Sequence, residues 1–209
     1  MLYFDTLPRI VTPDQNGNPL LLTNILTRAK LLESLQDNPM LFYEYNIQDG
    51  DTPEIIAEKY YDDPYRFWMV LYSNNLLDPL WDWPMAERQF TVYLESLYAD
   101  DAAAANLSVY DYINTTIYVY QKVVTTTDLV TDTITVEALT IDFDTYQSLE
   151  LGTNTYTLPN GTKVIVNISK NAMTIYEHEY AMNEAKRKIK LLNNNYVGQM
   201  EQTFKQVMK

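Results

Sequence analysis

From Phe42 to Pro84 the chain reads FYEYNIQDGDTPEIIAEKYYDDPYRFWMVLYSNNLLDPLWDWP, and nowhere else do apolar periodicity, capping residues and aromatic side chains coincide so densely. Phe42, Tyr43, Tyr45 and Ile47 nearly alternate with Glu44, Asn46 and Gln48, which predicts a short, half-buried strand. Asp49-Gly50-Asp51 then turns the backbone, because glycine tolerates positive φ and aspartate bonds local N–H groups. Thr52 suits an N-cap and Pro53 the first helical position, and Ile55, Ile56, Lys59 and Tyr60 follow at helical spacing. Asp63-Pro64 repeats the start signal for a more apolar helix carrying Phe67, Trp68, Met69, Val70 and Leu71, and Asn74-Asn75 stops it. The order is strand, turn, helix, helix, and a compact module in this chain nucleates on it.

Charge narrows what such a module can meet. The 209 residues carry 28 acidic and 15 basic side chains, a formal net charge of -13. A field of that sign repels phosphate backbones and anionic lipid headgroups and draws in basic protein surfaces. Nucleic-acid binding and membrane insertion are therefore not expected. Without cysteine there is no disulfide framework, thiol nucleophile or cysteine metal site. No apolar run approaches bilayer length and the N-terminus lacks the basic start of a secretion signal, so assembly in a cytoplasm is the expectation. Tyrosine numbers 18, beside 6 Phe and 3 Trp. Side chains of this kind fill interface cores, and they also fill the cores of small modules poor in aliphatics.

The flanks read as follows. Met1 to Asn18, punctuated by Pro8, Pro13 and Asn16-Gly17, suggests an extended arm ending in a turn, with Leu2, Phe4, Leu7 and Ile10 needing burial. Thr23 or Asn24 can cap a helix through about Gln36, ended by Asp37-Asn38-Pro39. Beyond LLDPLWDW a helix is expected from Pro84 to Ala99 on Phe90, Tyr93, Leu94 and Leu97, and AAAAN at 102–106 is a linker or a helix end. From Tyr110 to Ser169 the β-branched runs IYVYQKVV, DTITVEALTI and TKVIVNIS, with a hairpin signal at Pro159-Asn160-Gly161, predict a small antiparallel sheet. Residues 91–169 hold 10 acidic and 2 basic side chains, a balance of -8 that either faces water or meets a basic neighbour. Ile189, Leu192, Tyr196, Met200, Phe204 and Val207 recur at steps averaging near the helical period, forming one stripe on a straight C-terminal helix.

The chain is thus expected to be α+β: a strand-helix-helix core with flanking helices, a small antiparallel β-rich insert and a C-terminal helix. Its segments are an arm and helix over 1–40, the core with its following helix over 41–100, the β-rich subdomain over 108–170 and a helical segment over 171–209.

YNIQDGDTPEIIAEKYYDDPYRFWMVLYSNN resembles a LysM module, with its aromatic strand, G-D-T turn, I-A-x-K-Y helix and second helix ending at Asn. Together with the lead FDTLPRI…LTNILTR, a D-P-x-x-x-W tail and a C-terminal YEHEYAMNEAKRKIKLL helix, it resembles the LysM-containing baseplate wedge proteins of T-even-type contractile-tail bacteriophages. The resemblance implies a LysM-like core and a structural subunit of the virion tail baseplate, made and assembled in the host cytoplasm, that links neighbouring wedge subunits. It also implies partners among the large scaffold subunits and the lysozyme-fold subunit that initiates the sheath. Glycan-binding LysM modules hold N-acetylglucosamine through two loops, which map here to Gly50, Asp51 and Thr52 and to Asn74, Asn75 and Leu76. Peptidoglycan binding is the alternative reading. An ordinary module closes its sheet with a second strand, where this chain continues into Leu76 to Trp83.

Chemistry finds little to work with. His178, the one histidine, sits between Glu177 and Glu179 and reads as a solvated helix residue. Asp49 with Asp51, and Asp62 with Asp63, form carboxylate pairs at turns and helix starts, where local hydrogen bonding explains them. No HExxH, P-loop, GxGxxG or GxSxG pattern is present, and Asn106, Asn114, Asn160 and Asn167 form sequons only by abundance of Asn and Thr. Neither enzymatic activity nor a cofactor or metal site is expected. Candidate interface residues are Trp68, Tyr72, Trp81 and Trp83 in the aromatic stretch and Ile189, Leu192, Tyr196 and Phe204 on the C-terminal stripe.

Overall fold

The structure is a computed structural model and describes residues 3–27, 38–159 and 161–208. It is mixed α+β and divides into two compact units, Met1–Ala86 with Asn183–Lys209, and Glu87–Met182. In chain order the first part contributes strands β1 (Arg9–Pro13), β2 (Pro19–Thr23) and β3 (Phe42–Asn46), then helices α1 (Pro53–Tyr61) and α2 (Phe67–Ser73). The middle holds α3 (Glu87–Leu97), α4 (Ala99–Ala104), α5 (Val109–Thr115), β4 (Ile117–Asp128), β5 (Ile134–Ile141), α6 (Phe143–Ser148), β6 (Gly152–Thr157), β7 (Lys163–Thr174) and α7 (Ile175–Ala185). The chain ends with β8 (Lys188–Leu192) and α8 (Val197–Val207).

In the first unit the aromatic stretch folds as its capping signals dictate. Thr52 caps α1, its hydroxyl accepting the Ile55 N–H at 3.3 Å, and Gly50 takes φ +87° at the turn before it. The buried face of α1 is Ile56, Ala57 and Tyr61, one residue round from the expected Ile55, which is exposed. Asp62 ends the helix in the left-handed region, and Asp63 caps the short 3-10 turn Pro64–Arg66 that leads into α2. Trp68, Met69 and Val70 of α2 are fully buried.

The partner of β3 comes from the far end of the chain. β8 pairs antiparallel with it, Phe42 opposite Leu192 and Tyr45 opposite Ile189, so the core order is β3-α1-α2-β8. This corrects the expected single stripe from Ile189 to Val207 on one straight helix; a C-terminal helix is present as α8, but it begins only at Val197. Lys188-Ile189-Lys190-Leu191 alternates with period two, and as a strand it buries Ile189 and Leu191 while Lys188 reaches Glu44 at 3.1 Å. After a 3-10 turn over Asn194–Tyr196, α8 buries Val197 and Phe204 on the same core, its C-cap Met208 is buried there too, and Val207 of the expected stripe is exposed.

The expected N-terminal arm is a hairpin. Asp14 accepts the N–H groups of Asn16 and Asn18 at 2.8 Å each, Gly17 adopts φ +82°, and β1 and β2 pair from Arg9–Thr23 to Pro13–Pro19. Thr23 therefore closes a strand. Asn24 accepts the Leu26 N–H at 3.1 Å in the turn that follows, and the rest of the helix expected through about Gln36 lies outside the described residues.

The second unit carries a four-stranded antiparallel sheet of order β5-β4-β7-β6. Its long central strands β4 and β7 are only half-buried, and the edge strands β5 and β6 are exposed almost throughout. α6 covers one end of a face, where Phe143 and Tyr146 pack on Tyr120 at 5.2 and 4.7 Å between ring centroids. Its buried aliphatic and aromatic residues are otherwise mostly helical: Phe90, Leu94, Ala102, Ile113 and Ile175.

Candidate protein interface

Trp68 is the hub of the first unit's aromatic core, at 1 % exposure. Its ring lies 4.6 Å from Phe204 and 5.9 Å from Tyr72, and Tyr3 stacks on Phe204 at 5.6 Å. Tyr3 and Tyr72 also share a hydroxyl hydrogen bond of 3.1 Å, which ties the 3-10 turn Tyr3–Thr6 to α2. On the outer side of these rings runs an apolar groove of about 540 Å³, walled by Tyr3, Phe4, Ile25, Leu71, Tyr72 and Leu77. Phe4, Ile25 and Leu77 are largely exposed.

In the same unit, the hairpin exposes Ile10, Val11, Leu20, Leu21 and Leu22. The register puts Ile10 across from Leu22 and Val11 across from Leu21, so successive pairs point to opposite faces, and among the described residues neither face is covered. Val11 and Leu21 reach 69 % and 56 % exposure. A lone two-stranded hairpin is marginal in water, and its outer edges offer unpaired N–H and C=O groups.

The eight residues expected at an interface separate cleanly. Trp68, Ile189, Leu192 and Phe204 are buried in the unit's own core, which corrects the expectation that they face a partner. Trp83 is half-buried, and its indole N–H donates to the Asp51 carbonyl at 3.0 Å. Tyr72 lines the groove, Trp81 is 54 % exposed and Tyr196 lies on the surface. The hairpin residues escaped the sequence reading, although the run Leu20-Leu21-Leu22 just past Asn16-Gly17 carries a hairpin signal.

The residues of the two glycan loops are committed to the fold. The Asp51 carboxylate accepts from Tyr45 at 2.7 Å, from the Gln48 N–H at 3.0 Å and from Lys59 at 2.6 Å. Burial opposes its ionisation, but these donors outweigh burial and hold its pKa below the usual carboxylate value. Burial, with the Asp51 carboxylate beside it, pushes the Tyr45 phenol up to about 12. The Asn74 amide donates to the carbonyls of Val70 and Lys190 at 2.8 Å each and accepts the Lys190 N–H at 2.7 Å, capping α2 and clamping the edge of β8. Asn75 takes the left-handed conformation and the Leu76 N–H reaches back to the Leu71 carbonyl, a Schellman-type ending. Gly50 turns and Thr52 caps.

The other polar candidates are placed as simply. His178 stacks on Tyr118 at 3.8 Å, and Asp49 pairs with Arg187 at 2.8 Å. Among the described residues no group of three histidines and carboxylates is placed to hold a metal ion. No helix among them is long and apolar enough to cross a membrane.

No curated protein matches the chain. The family model described as base plate wedge protein 53 matches residues 3–207, nearly the whole sequence, and the chain belongs to that family of phage base plate wedge proteins.

Proposed function

We propose that this chain is a joint of the phage tail baseplate, linking neighbouring wedge subunits without chemistry of its own. The observation that carries the reading is the β1–β2 hairpin, whose five aliphatic side chains stand exposed on both faces. Covering them contributes ~25 cal/mol per Å² of apolar surface, less the cost of ordering what docks. The aromatic groove of the same unit offers a second seat of the same character. In a contractile tail assembled in the host cytoplasm, the partners are wedge subunits: the large scaffold chains and the lysozyme-fold subunit that starts the sheath.

The β3-α1-α2-β8 order supports reading the first unit as LysM-like, with its second strand delivered after an intervening segment. It does not favour sugar binding, because the Asp51 carboxylate and Asn74 amide are spent on internal hydrogen bonds.

The test replaces Val11 and Leu21 together by aspartate. The double variant keeps the parent's circular dichroism, and its incorporation into wedges assembled from purified subunits falls at least ~10-fold, the loss expected from ~1.4 kcal/mol or more of binding. Incorporation equal to the parent would refute the reading.

A further inference from the structure

In the second unit a groove of about 410 Å³ opens between α3 and α5. Leu94 and Ile113, both buried, form its floor, and Tyr110 and Tyr176 flank it, Tyr110 at 74 % exposure. Glu87 and Glu95 stand on the α3 side, exposed and without an ion pair among the described residues. They are two helical turns apart, ~12 Å along the axis. Apolar floor, aromatic flanks and unneutralised carboxylates are the three surfaces that an arginine or lysine side chain uses at once. The methylene stem lies on the floor, the cation lies over a ring face and hydrogen-bonds a carboxylate.

We propose that this groove seats a basic segment of another polypeptide, with two cations spaced to meet Glu87 and Glu95. The surrounding charge selects that occupant. Residues 87–182 hold 13 acidic and 4 basic side chains, a net -9, so a second copy of this chain is repelled and a basic segment is drawn in. The inference rests on the reading that the chain joins other subunits, and it assigns one partner's chemistry to a surface separate from the hairpin.

The test is carboxylate footprinting. Carbodiimide-driven coupling of glycine ethyl ester is mapped by mass spectrometry on the isolated full-length chain and on purified tails that contain it. Glu87 and Glu95 label fully in the isolated chain and at least ~10-fold less in tails, the protection expected of desolvated, paired carboxylates. The variant Glu87→Gln/Glu95→Gln incorporates into tails at least ~10-fold less well in competition with the parent. Glu137→Gln/Glu150→Gln removes the same charge from exposed sites of the same unit and changes incorporation less than ~2-fold. Full labelling of both glutamates in tails would overturn the proposal while leaving the joint reading intact. Equal losses for the two double variants would overturn it as well, since the unit's general field would then be the cause. So would protection that appears on self-association of the isolated chain. Absence of the chain from tails would instead remove the joint reading.

Discussion

One carboxamide, that of Asn74, supplies three hydrogen bonds that no backbone group could make: two to the carbonyls of Val70 and Lys190 and one from the Lys190 N–H. Replacing it by alanine leaves partly buried groups at the end of α2 and on β8 unpaired, so Asn74→Ala is expected to cost ~2–3 kcal/mol, read from the urea midpoint. Asp51 and Tyr45 share a hydrogen bond with opposite consequences for pH. The Asp51 pKa is held below its ordinary 3.8, so its contribution is complete above that value and is lost as pH falls through the lower folded pKa. Asp51→Asn should therefore flatten the acid limb of the Tm profile. Tyr45 is raised from 10.0 to about 12, so its contribution is complete below pH 10.0 and disappears as pH climbs to about 12; Tyr45→Phe should shrink the alkaline loss in that window. A sugar site needs free polar groups at these positions. Titration with N-acetylglucosamine oligomers is accordingly expected to give no saturable heat, and binding abolished by Asp51→Asn would contradict the assignment.

Among the elements, β8 separates local from distant information. The capping signals of the aromatic stretch are local chemistry, and Thr52, Asp63 and Asn74 stand where their side chains predict. The antiparallel sheet of the second unit was equally legible, because β-branched runs with turn residues between them specify strands whatever they pack on. Lys188 to Leu192 was ambiguous: a five-residue apolar-basic run fits period two and period 3.6 alike, and only the open edge of β3, distant in sequence, decides. At the interface the same limit applies. The aromatic stretch flagged Trp68 and the C-terminal stripe flagged Phe204, but the return of α8 to the first unit, which local sequence does not reveal, packs Phe204 on Trp68 and turns both into core. The two assignments are separable by stability. As a strand residue at 1 % exposure, Leu191 is expected to lose ~2–5 kcal/mol on replacement by alanine. Val207→Ala, on the exposed side of α8, should change stability by less than ~0.5 kcal/mol. A single helical stripe through 189–207 would give the reverse order in urea unfolding.

For the whole molecule, the first unit is closed by chain that arrives after the second has been traversed. β8 and α8 bring Ile189, Leu191, Leu192, Val197, Phe204 and Met208 to a core begun by Phe42, Ile56 and Trp68. A chain ending at Met182 keeps all three tryptophans, 68, 81 and 83, and is nevertheless expected to lose the blue-shifted emission of buried Trp68, since the apolar surface left exposed exceeds what marginal stability tolerates. What the closed unit still leaves open is the hairpin, and the proposed joint depends on its being covered by other polypeptides. Hydrogen exchange over Arg9–Thr23, measured on the isolated full-length chain and on the assembled wedge, tests that dependence most directly. The account predicts fast exchange in the isolated chain and protection in the wedge; equal protection in both states would contradict it.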